Sequence, residues 1–176
     1  MPGIDESREF IPLSIAVLTI SDTRSLADDS SGQMLVDKLL AAGHTLVERS
    51  ILRDDKEALI DALRMLIARS DVQVVLATGG TGVTGRDVTP EAFHAVYEKE
   101  IPGFGELFRM LSYQQIGTST IQSRATAGVA NGTYLFALPG STGACRDAWD
   151  WILAQQLDSR YRPCNFAELF ARLKER

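Results

Sequence analysis

The sequence lacks the features that mark membrane-spanning and exported proteins. None of its apolar runs reaches the ~20 residues that a transmembrane helix needs. Its first ten residues, MPGIDESREF, have neither the basic start nor the apolar core of a signal peptide. We therefore expect a cytoplasmic protein with no membrane partner, in which residues 1–12 form a flexible N-terminal arm before a single domain at 13–176.

Cysteine, histidine and positive charge are also scarce. The two cysteines (Cys145 and Cys164) and two histidines (His44 and His94) have no spacing typical of a zinc site, and they give a catalytic triad few candidates. Lys and Arg number 18 against 23 Asp and Glu, which gives a formal net charge of −5. A nucleic-acid partner is not expected, because binding its backbone requires a basic face. A local phosphate pocket remains compatible with this charge.

The sequence contains an alternation of apolar strands and amphipathic helices. Apolar or alternating segments predict strands at 13–20, 44–52, 72–78 and 133–139. Apolar residues at helical spacing predict helices at 31–43, 54–70, 89–100, 103–116, 141–157 and 166–175. Strands that are apolar on both faces are typical of a parallel sheet covered by helices. The order therefore predicts an α/β fold with a mostly parallel sheet and helices on both faces.

The stretch LATGGTGVTGRD, residues 76–87, follows the third predicted strand and is rich in glycine. Two familiar phosphate-binding motifs fit it poorly. The dinucleotide fingerprint G-x-G-x-x-G follows a first strand and runs directly into a helix. Here the next helix is expected to begin later, with Thr89 as its N-cap and Pro90 in its first position. A Walker A loop would need Lys-Ser or Lys-Thr where Arg86-Asp87 stands.

A third interpretation of this stretch fits its residues better. Glycine allows the backbone to turn tightly and approach a ligand, and successive N–H groups then form an anion-binding nest. Asp87 would hold a magnesium ion that bridges the phosphates. The structural alternative is a tight turn in which Asp87 bonds its own loop, with Arg86 as a surface or ion-paired residue.

Acidic residues follow each of the first three predicted strands. They are Asp22, Asp54 and Asp87. The carboxyl ends of parallel strands share one edge of a sheet, where open α/β folds bind ligands, so these acids are candidates for one crevice. The structural alternatives are that Asp22 braces a turn and that Asp54 is the N-cap of the next helix.

The loop after the fourth predicted strand has the sequence PGST, residues 139–142. Ser141 or Thr142 is expected to cap the next helix, and free N–H groups at a helix N-terminus favour anions. Two anion sites beside carboxylates of the kind that bind metals indicate a substrate with phosphates at two places. They favour transfer chemistry at phosphorus, in which a metal neutralises charge and positioning supplies much of the rate.

From residue 14 to residue 166 the chain resembles the MoaB/MogA family of molybdenum cofactor biosynthesis proteins, most closely its MoaB-type members. The matching blocks are AVLTISDTR, VVLATGGTGVTGRDVTPEA, GFGELFRMLSYQQIGTSTIQSRATAGV and LPGSTGAC. The resemblance implies a three-layer α/β/α sandwich that binds molybdopterin and adenylylates it with ATP and Mg²⁺, releasing pyrophosphate. It also implies a homotrimer that can pair into a hexamer, with other molybdenum cofactor biosynthesis enzymes as further partners.

The functional residues of this family match particular positions in the sequence. The resemblance makes Asp54 and Asp87 the catalytic and magnesium-binding aspartates. It assigns substrate and phosphate binding to Ser21, Asp22, Gly79, Gly80, Thr81, Gly82, Glu106, Ser112, Gly140 and Ser141. MogA-like members usually have PGxP in the last loop, where this chain has PGST. The alternative function is therefore a non-catalytic paralogue that binds molybdopterin or a nucleotide and carries or protects the pterin intermediate.

Overall fold

The computed structural model describes residues 1–175, which form a six-stranded sheet with helices on both faces and a separate pair of two-residue strands. The strands are β1 Gly3–Ile4, β2 Ser14–Ile20, β3 Thr45–Leu52, β4 Val74–Thr78, β5 Lys99–Glu100, β6 Thr126–Ala130, β7 Thr133–Leu138 and β8 Tyr161–Arg162. The α-helices are α1 Ser30–Ala41, α2 Lys56–Ala68, α3 Thr89–His94, α4 Pro102–Ile116, α5 Thr142–Ala148 and α6 Ala154–Gln156. A π-helical segment, Trp149–Leu153, joins α5 to α6, and 3₁₀ helices span Gly117–Gln122 and Ala167–Arg172.

The strand order of the main sheet is β3-β2-β4-β7-β6-β5. The first four strands in this order are mutually parallel. Crossovers that contain a helix join β2 to β3 and β3 to β4, and the longer connection from β4 to β7 includes α3, α4, β5 and β6. Strands β6 and β5 extend the sheet in antiparallel fashion at one edge. The prediction of a mostly parallel sheet is therefore confirmed.

Each face of the sheet packs against its own set of helices. On one face, β-strand residues such as Val17 and Phe136 form a cluster with residues of α1, α4 and α5. On the other, Leu18 and Leu135 form a second cluster with residues of α2 and α3. The two clusters arise because successive side chains of a strand point to opposite faces, and they give the three-layer α/β/α architecture expected of the chain.

The hairpin of β6 and β7 was not fully predicted from the sequence. Its first strand, TAGVA, consists of small residues and has little apolar periodicity. The available signal was the Asn131-Gly132 pair, whose φ angles of 48° and 79° form the tight turn between the strands. This strand matters for the functional site because the chain that leads into it contacts the glycine-rich loop.

Several helix boundaries differ from those predicted. Helix α3 ends at His94, not at residue 100, because Lys99 and Glu100 pair with β6 as β5. Its N-cap is Val88, so Thr89 is a helical residue and not the predicted cap. The segment predicted as one helix at 141–157 contains the π-helical segment, and the predicted terminal helix is a 3₁₀ helix.

Residues 1–12 lie against the C-terminal part of the domain. Strand β1 pairs with β8, and the Arg8 guanidinium donates a hydrogen bond to the Ser159 carbonyl oxygen at 2.8 Å. The predicted flexibility of this arm stays a prediction. Within residues 1–175, no helix combines the length and the apolar character that crossing a membrane requires.

Candidate functional site

A polar groove of about 540 Å³ lies at the carboxyl ends of the parallel strands. The loops that follow β2, β3, β4 and β7 form its walls. Its lining residues are Ile20, Ser21, Asp22, Thr23, Arg24, Asp54, Gly79, Gly80, Arg86, Asp87, Gly140 and Ser141. The structure therefore brings the three predicted aspartates and both predicted loops into one groove, at the edge where open α/β sheets bind ligands.

The glycine-rich loop follows β4 in a conformation that requires glycine at its first two positions. Gly79 and Gly80 have φ angles of 107° and 64°, which lie in the left-handed region. A Cβ atom at Gly79 would overlap the carbonyl oxygen of Ile20, and one at Gly80 would lie 3.0 Å from Oδ1 of Asp54. The absence of side chains here lets the loop approach the ends of β2 and β3 and leaves space in the groove.

Thr89 fixes the first half of this loop from the start of α3. Its hydroxyl donates a hydrogen bond to the Gly79 carbonyl oxygen at 2.8 Å, and its N–H donates to the Gly80 carbonyl oxygen at 3.0 Å. The side chain is buried. Its role is therefore to hold the two glycines, and not to cap the helix as the sequence predicted.

Asp54 is free to face the groove because its neighbour caps helix α2. The N-cap is Asp55, whose carboxylate accepts a hydrogen bond from the Ala58 N–H at 2.9 Å. The structural alternative that the sequence allowed for Asp54 is therefore wrong. Partial burial raises the pKa of the Asp54 carboxyl, and the negative charges of Asp22 and Asp87 raise it further, against the opposing effect of Arg86.

Asp22 ties two groove loops together. Its Oδ1 accepts a hydrogen bond from the backbone N–H of Asp54 at 3.2 Å, and its Oδ2 accepts hydrogen bonds from the Arg86 guanidinium. The bonds from Arg86 hold the pKa of Asp22 below its usual range. Arg86, which the sequence left open as a surface or ion-paired residue, is thus an ion-paired residue that links the glycine-rich loop to the loop after β2.

Asp87 bonds within its own loop while it lines the groove. Its Oδ2 accepts hydrogen bonds from the Thr84 N–H at 2.8 Å and the Thr84 hydroxyl at 2.6 Å. Burial disfavours the charged form, but the bonds from Thr84 outweigh this effect and lower the pKa of Asp87. The structural alternative for Asp87 is therefore present, and it keeps the carboxylate ionised at the groove wall.

The two predicted serines act in the turns beside the groove. The Ser21 hydroxyl oxygen accepts hydrogen bonds from the N–H groups of Thr23 and Arg24 at 3.2 and 3.1 Å. Ser141 is the N-cap of α5, where its hydroxyl oxygen accepts a hydrogen bond from the Ala144 N–H at 3.2 Å. Both hydroxyls therefore shape the backbone that faces the groove.

Four predicted binding residues are not among those that line the groove. Glu106 lines a second cavity of about 780 Å³ between α3 and α4, together with His94 and Arg109. Ser112 is buried on α4. The remaining predicted loop residues, Thr81 and Gly82, follow Gly80, and both have carbonyl oxygens that accept hydrogen bonds from Arg124.

Sequence reasoning missed Arg24 and Arg124. Arg24 lines the groove, and its guanidinium donates a hydrogen bond to the Ser31 hydroxyl at 2.7 Å. Arg24 lies in the block AVLTISDTR, two residues after the expected Asp22, so its position was available as a signal. Arg124 lies some 40 residues from the loop that it contacts, and no local pattern in the sequence indicates that contact.

Asp54 and Asp87 are the groove residues whose carboxylates could contribute to holding a metal ion. Within residues 1–175, no group of three His, Cys, Asp or Glu side chains lies close enough together to hold a metal ion. Magnesium usually keeps several waters and binds through one or two carboxylates plus substrate phosphates. Burial raises the pKa of Asp54 and the charges of Asp22 and Asp87 raise it further, and a divalent cation beside Asp54 would favour its charged form.

Residues 16–159 match the model of a family described as a probable molybdopterin binding domain. The fold and the groove therefore define an α/β domain of the molybdopterin-binding class. More particularly, the chain belongs to the molybdenum cofactor biosynthesis family of MoaB and MogA proteins. It is 55% identical over 160 residues to molybdenum cofactor biosynthesis protein B of Escherichia coli (strain K12), with 91% of this chain and 94% of that protein covered. The protein of the same name from Bacillus anthracis is 49% identical over 142 residues, with 80% and 84% covered.

Solved structures show the same similarity. A crystal structure of molybdenum cofactor biosynthesis protein B has a TM-score of 0.86 and 40% identity, with 96% of this chain and all of that chain covered. The tungsten cofactor synthesizing protein MoaB from Pyrococcus furiosus has a TM-score of 0.73 and 35% identity, with 82% and 92% covered. The family expected from the sequence blocks and the three-layer fold are therefore confirmed.

Proposed function

We propose that this protein binds molybdopterin and adenylylates it with Mg-ATP, releasing pyrophosphate, as a step in molybdenum cofactor biosynthesis. The observation that carries the proposal is the convergence of Asp22, Asp54 and Asp87 with the glycine-rich loop in one groove. Membership of the molybdenum cofactor biosynthesis family supports the same substrate.

The glycine-rich loop supplies the phosphate-binding part of the proposed site. Gly79 and Gly80 have no side chain to block a ligand. Their carbonyl oxygens both accept hydrogen bonds from Thr89. The loop after β7 lies close beside them, because a Cβ at Gly140 would be 3.3 Å from the Gly79 Cα. A phosphate-bearing ligand can therefore approach backbone from both loops at one point.

Asp54 and Asp87 are the residues that would hold the magnesium ion of Mg-ATP. Bound magnesium neutralises negative charge that develops on the phosphates during transfer. The pKa values of the two carboxyls are shifted in opposite directions. Hydrogen bonds from Thr84 lower the pKa of Asp87, whereas burial and neighbouring carboxylates raise that of Asp54. Asp87 thus provides a carboxylate that stays charged, and a cation beside Asp54 would favour the charged form of that carboxyl.

The first test is an adenylylation assay with purified protein, molybdopterin, ATP and Mg²⁺, followed by pyrophosphate release and detection of the adenylylated pterin. The variants Asp87→Asn and Asp54→Asn should lose at least about 10²-fold in rate, because each removes a charge from the proposed transition-state environment. Asp61→Asn is the matched control, since Asp61 is exposed on α2 and pairs only with Arg64. Full activity in Asp87→Asn would overturn the proposed mechanism.

A second candidate function has one structural observation in its favour. The Asp87 carboxylate already accepts two hydrogen bonds from Thr84, so part of its capacity to bind a cation is used within the loop. A protein of this kind could bind the pterin or a nucleotide and carry or protect it without reaction. Binding of molybdopterin with no adenylylated product under Mg-ATP would favour this function over the first.

We also propose that the protein forms a homotrimer through helix α4. Apolar side chains at three-residue spacing remain exposed along this helix: Leu107, Met110, Tyr113 and Ile116. Light scattering coupled to size-exclusion chromatography would give the mass of the assembly. Met110→Lys should shift the measured mass toward that of the monomer. Met65→Lys changes an exposed residue of α2 and should leave the mass unchanged. A monomeric wild-type protein would refute the proposal, and a doubled trimer mass would indicate the hexamer.

A further inference from the structure

Arg124 makes an unusual set of contacts with the glycine-rich loop. It lies two residues before β6, and its side chain is only one-third exposed. Its Nε donates a hydrogen bond to the Gly82 carbonyl oxygen at 2.7 Å, and its Nη2 donates to the Asp87 carbonyl oxygen at 2.8 Å. Its backbone N–H donates to the Thr81 carbonyl oxygen at 3.0 Å.

These bonds join the two ends of the loop segment 82–87. The carbonyl groups of Gly82 and Asp87 are five residues apart in sequence, and one planar guanidinium bonds both. The remaining nitrogen of the guanidinium, Nη1, forms an ion pair with Glu91 on α3. This pair fixes the orientation of the guanidinium. Arginine suits this role because its donors are held in a rigid fork, whereas lysine has a single nitrogen on a flexible stem.

The segment is also tied to the loop after β2 by the Arg86–Asp22 ion pair, in which the Arg86 side chain is mostly exposed. Its middle residues, 83–86, are exposed, and its internal bonds run only between Asp87 and Thr84. Thr89 fixes Gly79 and Gly80, which lie before the segment. Asp87 is therefore positioned by contacts made from outside the loop, and of these Arg124 bonds the backbone at both ends of the segment, whereas Arg86 forms an exposed ion pair with Asp22.

We propose that Arg124 is a positioning residue that sets the conformation of loop 82–87 and thereby holds the Asp87 carboxylate at the groove. Arg124 acts through Asp87 and does not itself line the groove. The kinetic consequence of this inference rests on the proposed function, because there Asp87 binds the magnesium of Mg-ATP. The effect on loop order does not rest on it.

The test compares Arg124→Lys and Arg124→Gln with two controls. Glu91→Gln removes the ion pair but leaves Arg124 able to bond both carbonyl groups. Arg69→Lys is the matched control for replacing an arginine by lysine. The Arg69 guanidinium is also ion-paired, with Asp71 and Glu48, but it does not contact the loop. Thermal unfolding shows which variants are folded, and Arg124→Lys decides the question if Arg124→Gln does not fold.

Amide hydrogen exchange measured by mass spectrometry gives the readout that is independent of activity. Peptides that cover 82–88 should exchange about tenfold faster or more in the Arg124 variants, because charge-assisted bonds that close the loop are lost. Peptides from β2 and α1 should keep the wild-type rate. Glu91→Gln should show a small effect and Arg69→Lys none.

In the adenylylation assay, the Mg²⁺ concentration for half-maximal rate should rise about tenfold or more in Arg124→Lys. The KM for molybdopterin should change little, because Thr89 still holds Gly79 and Gly80. Wild-type exchange of the loop in folded Arg124 variants would overturn the proposal, and so would an equal acceleration throughout the protein. A wild-type protein that yields no product would remove the proposed function, while the exchange data would still decide the role of Arg124.

Discussion

The position of the Asp87 carboxylate can be tested by adding one methyl group to the neighbouring backbone. A Cβ atom at Gly82 would lie 2.8 Å from Oδ2 of Asp87 and 3.1 Å from its Cγ. The backbone at Gly82 does not have a positive φ, so Gly82→Ala should leave the chain path intact and displace the carboxylate instead. Gly85→Ala is the control in the same loop, because a Cβ there meets nothing within 4 Å.

The expected magnitude follows from the bonds that the carboxylate would lose. Hydrogen bonds to a charged group contribute about 1.5–3 kcal/mol each when they are sheltered, but this carboxylate is only partly buried. We expect the two bonds from Thr84 to contribute about 1–2 kcal/mol together. Replacing glycine by alanine also restricts the unfolded chain, which stabilises both variants by about 0.4–1 kcal/mol. The difference in unfolding free energy between Gly82→Ala and Gly85→Ala therefore reports the hydrogen bonds that the carboxylate loses.

Urea unfolding followed by circular dichroism would measure the stability difference, and the adenylylation assay would measure the functional one. Gly82→Ala should be about 1–2 kcal/mol less stable than Gly85→Ala. Its rate should fall about 10²-fold, which is the cost of a misplacement of about 1 Å at a reacting centre. Equal stability and equal activity in the two variants would show that the carboxylate does not depend on the space at Gly82.

Two further predictions concern stability. Thr89→Val should lower the free energy of unfolding by about 1–3 kcal/mol, because the buried Gly79 carbonyl oxygen loses its hydroxyl partner, while Thr89→Ser should retain it. His44 accepts a hydrogen bond from the Leu13 N–H through Nδ1, and burial lowers the pKa of His44 despite the opposing charge of Asp158. The unfolded chain therefore binds a proton at a pH where the folded chain does not, so this contribution to stability is present above pH ~6.5 and is lost as the pH falls below it. His44→Asn can keep the bond without titrating. The difference between its unfolding free energy and that of the wild type should therefore change over this pH range, and a constant difference would contradict the assignment.

The sequence predicts the central strands and the location of the groove for physical reasons. Strands β2, β4 and β7 are continuously apolar because both faces are buried, and such runs are distinctive. Once they are assigned to one parallel sheet, the residues after each strand must meet at one edge. The convergence of Asp22 and Asp87 was predictable for this reason, whereas Asp54 follows β3, whose pattern is weaker.

Other features depend on contacts that no local pattern contains. Asp54 and Asp55 are adjacent acids before a helix, and sequence alone does not decide which one is the cap. The structure selects Asp55, which leaves Asp54 in the groove. Strand β6 consists mostly of small residues, and at Gly128 the lack of a side chain leaves room for the Tyr97 ring. The strand conformation of β6 is determined by tertiary packing and not by the intrinsic strand preference of its residues.

The charges of the groove and the bonds of its loops support each other. Asp22 and Asp87 are kept ionised by Arg86 and Thr84, and burial raises the pKa of Asp54, which the charges of Asp22 and Asp87 raise further. The loops must therefore hold three carboxylates near one another against their mutual repulsion. The bonds from Thr89 and the Arg86–Asp22 ion pair oppose that repulsion from inside the site, and Arg124 opposes it from outside. A divalent cation bound there, as proposed, would reduce the same repulsion that the loop bonds oppose.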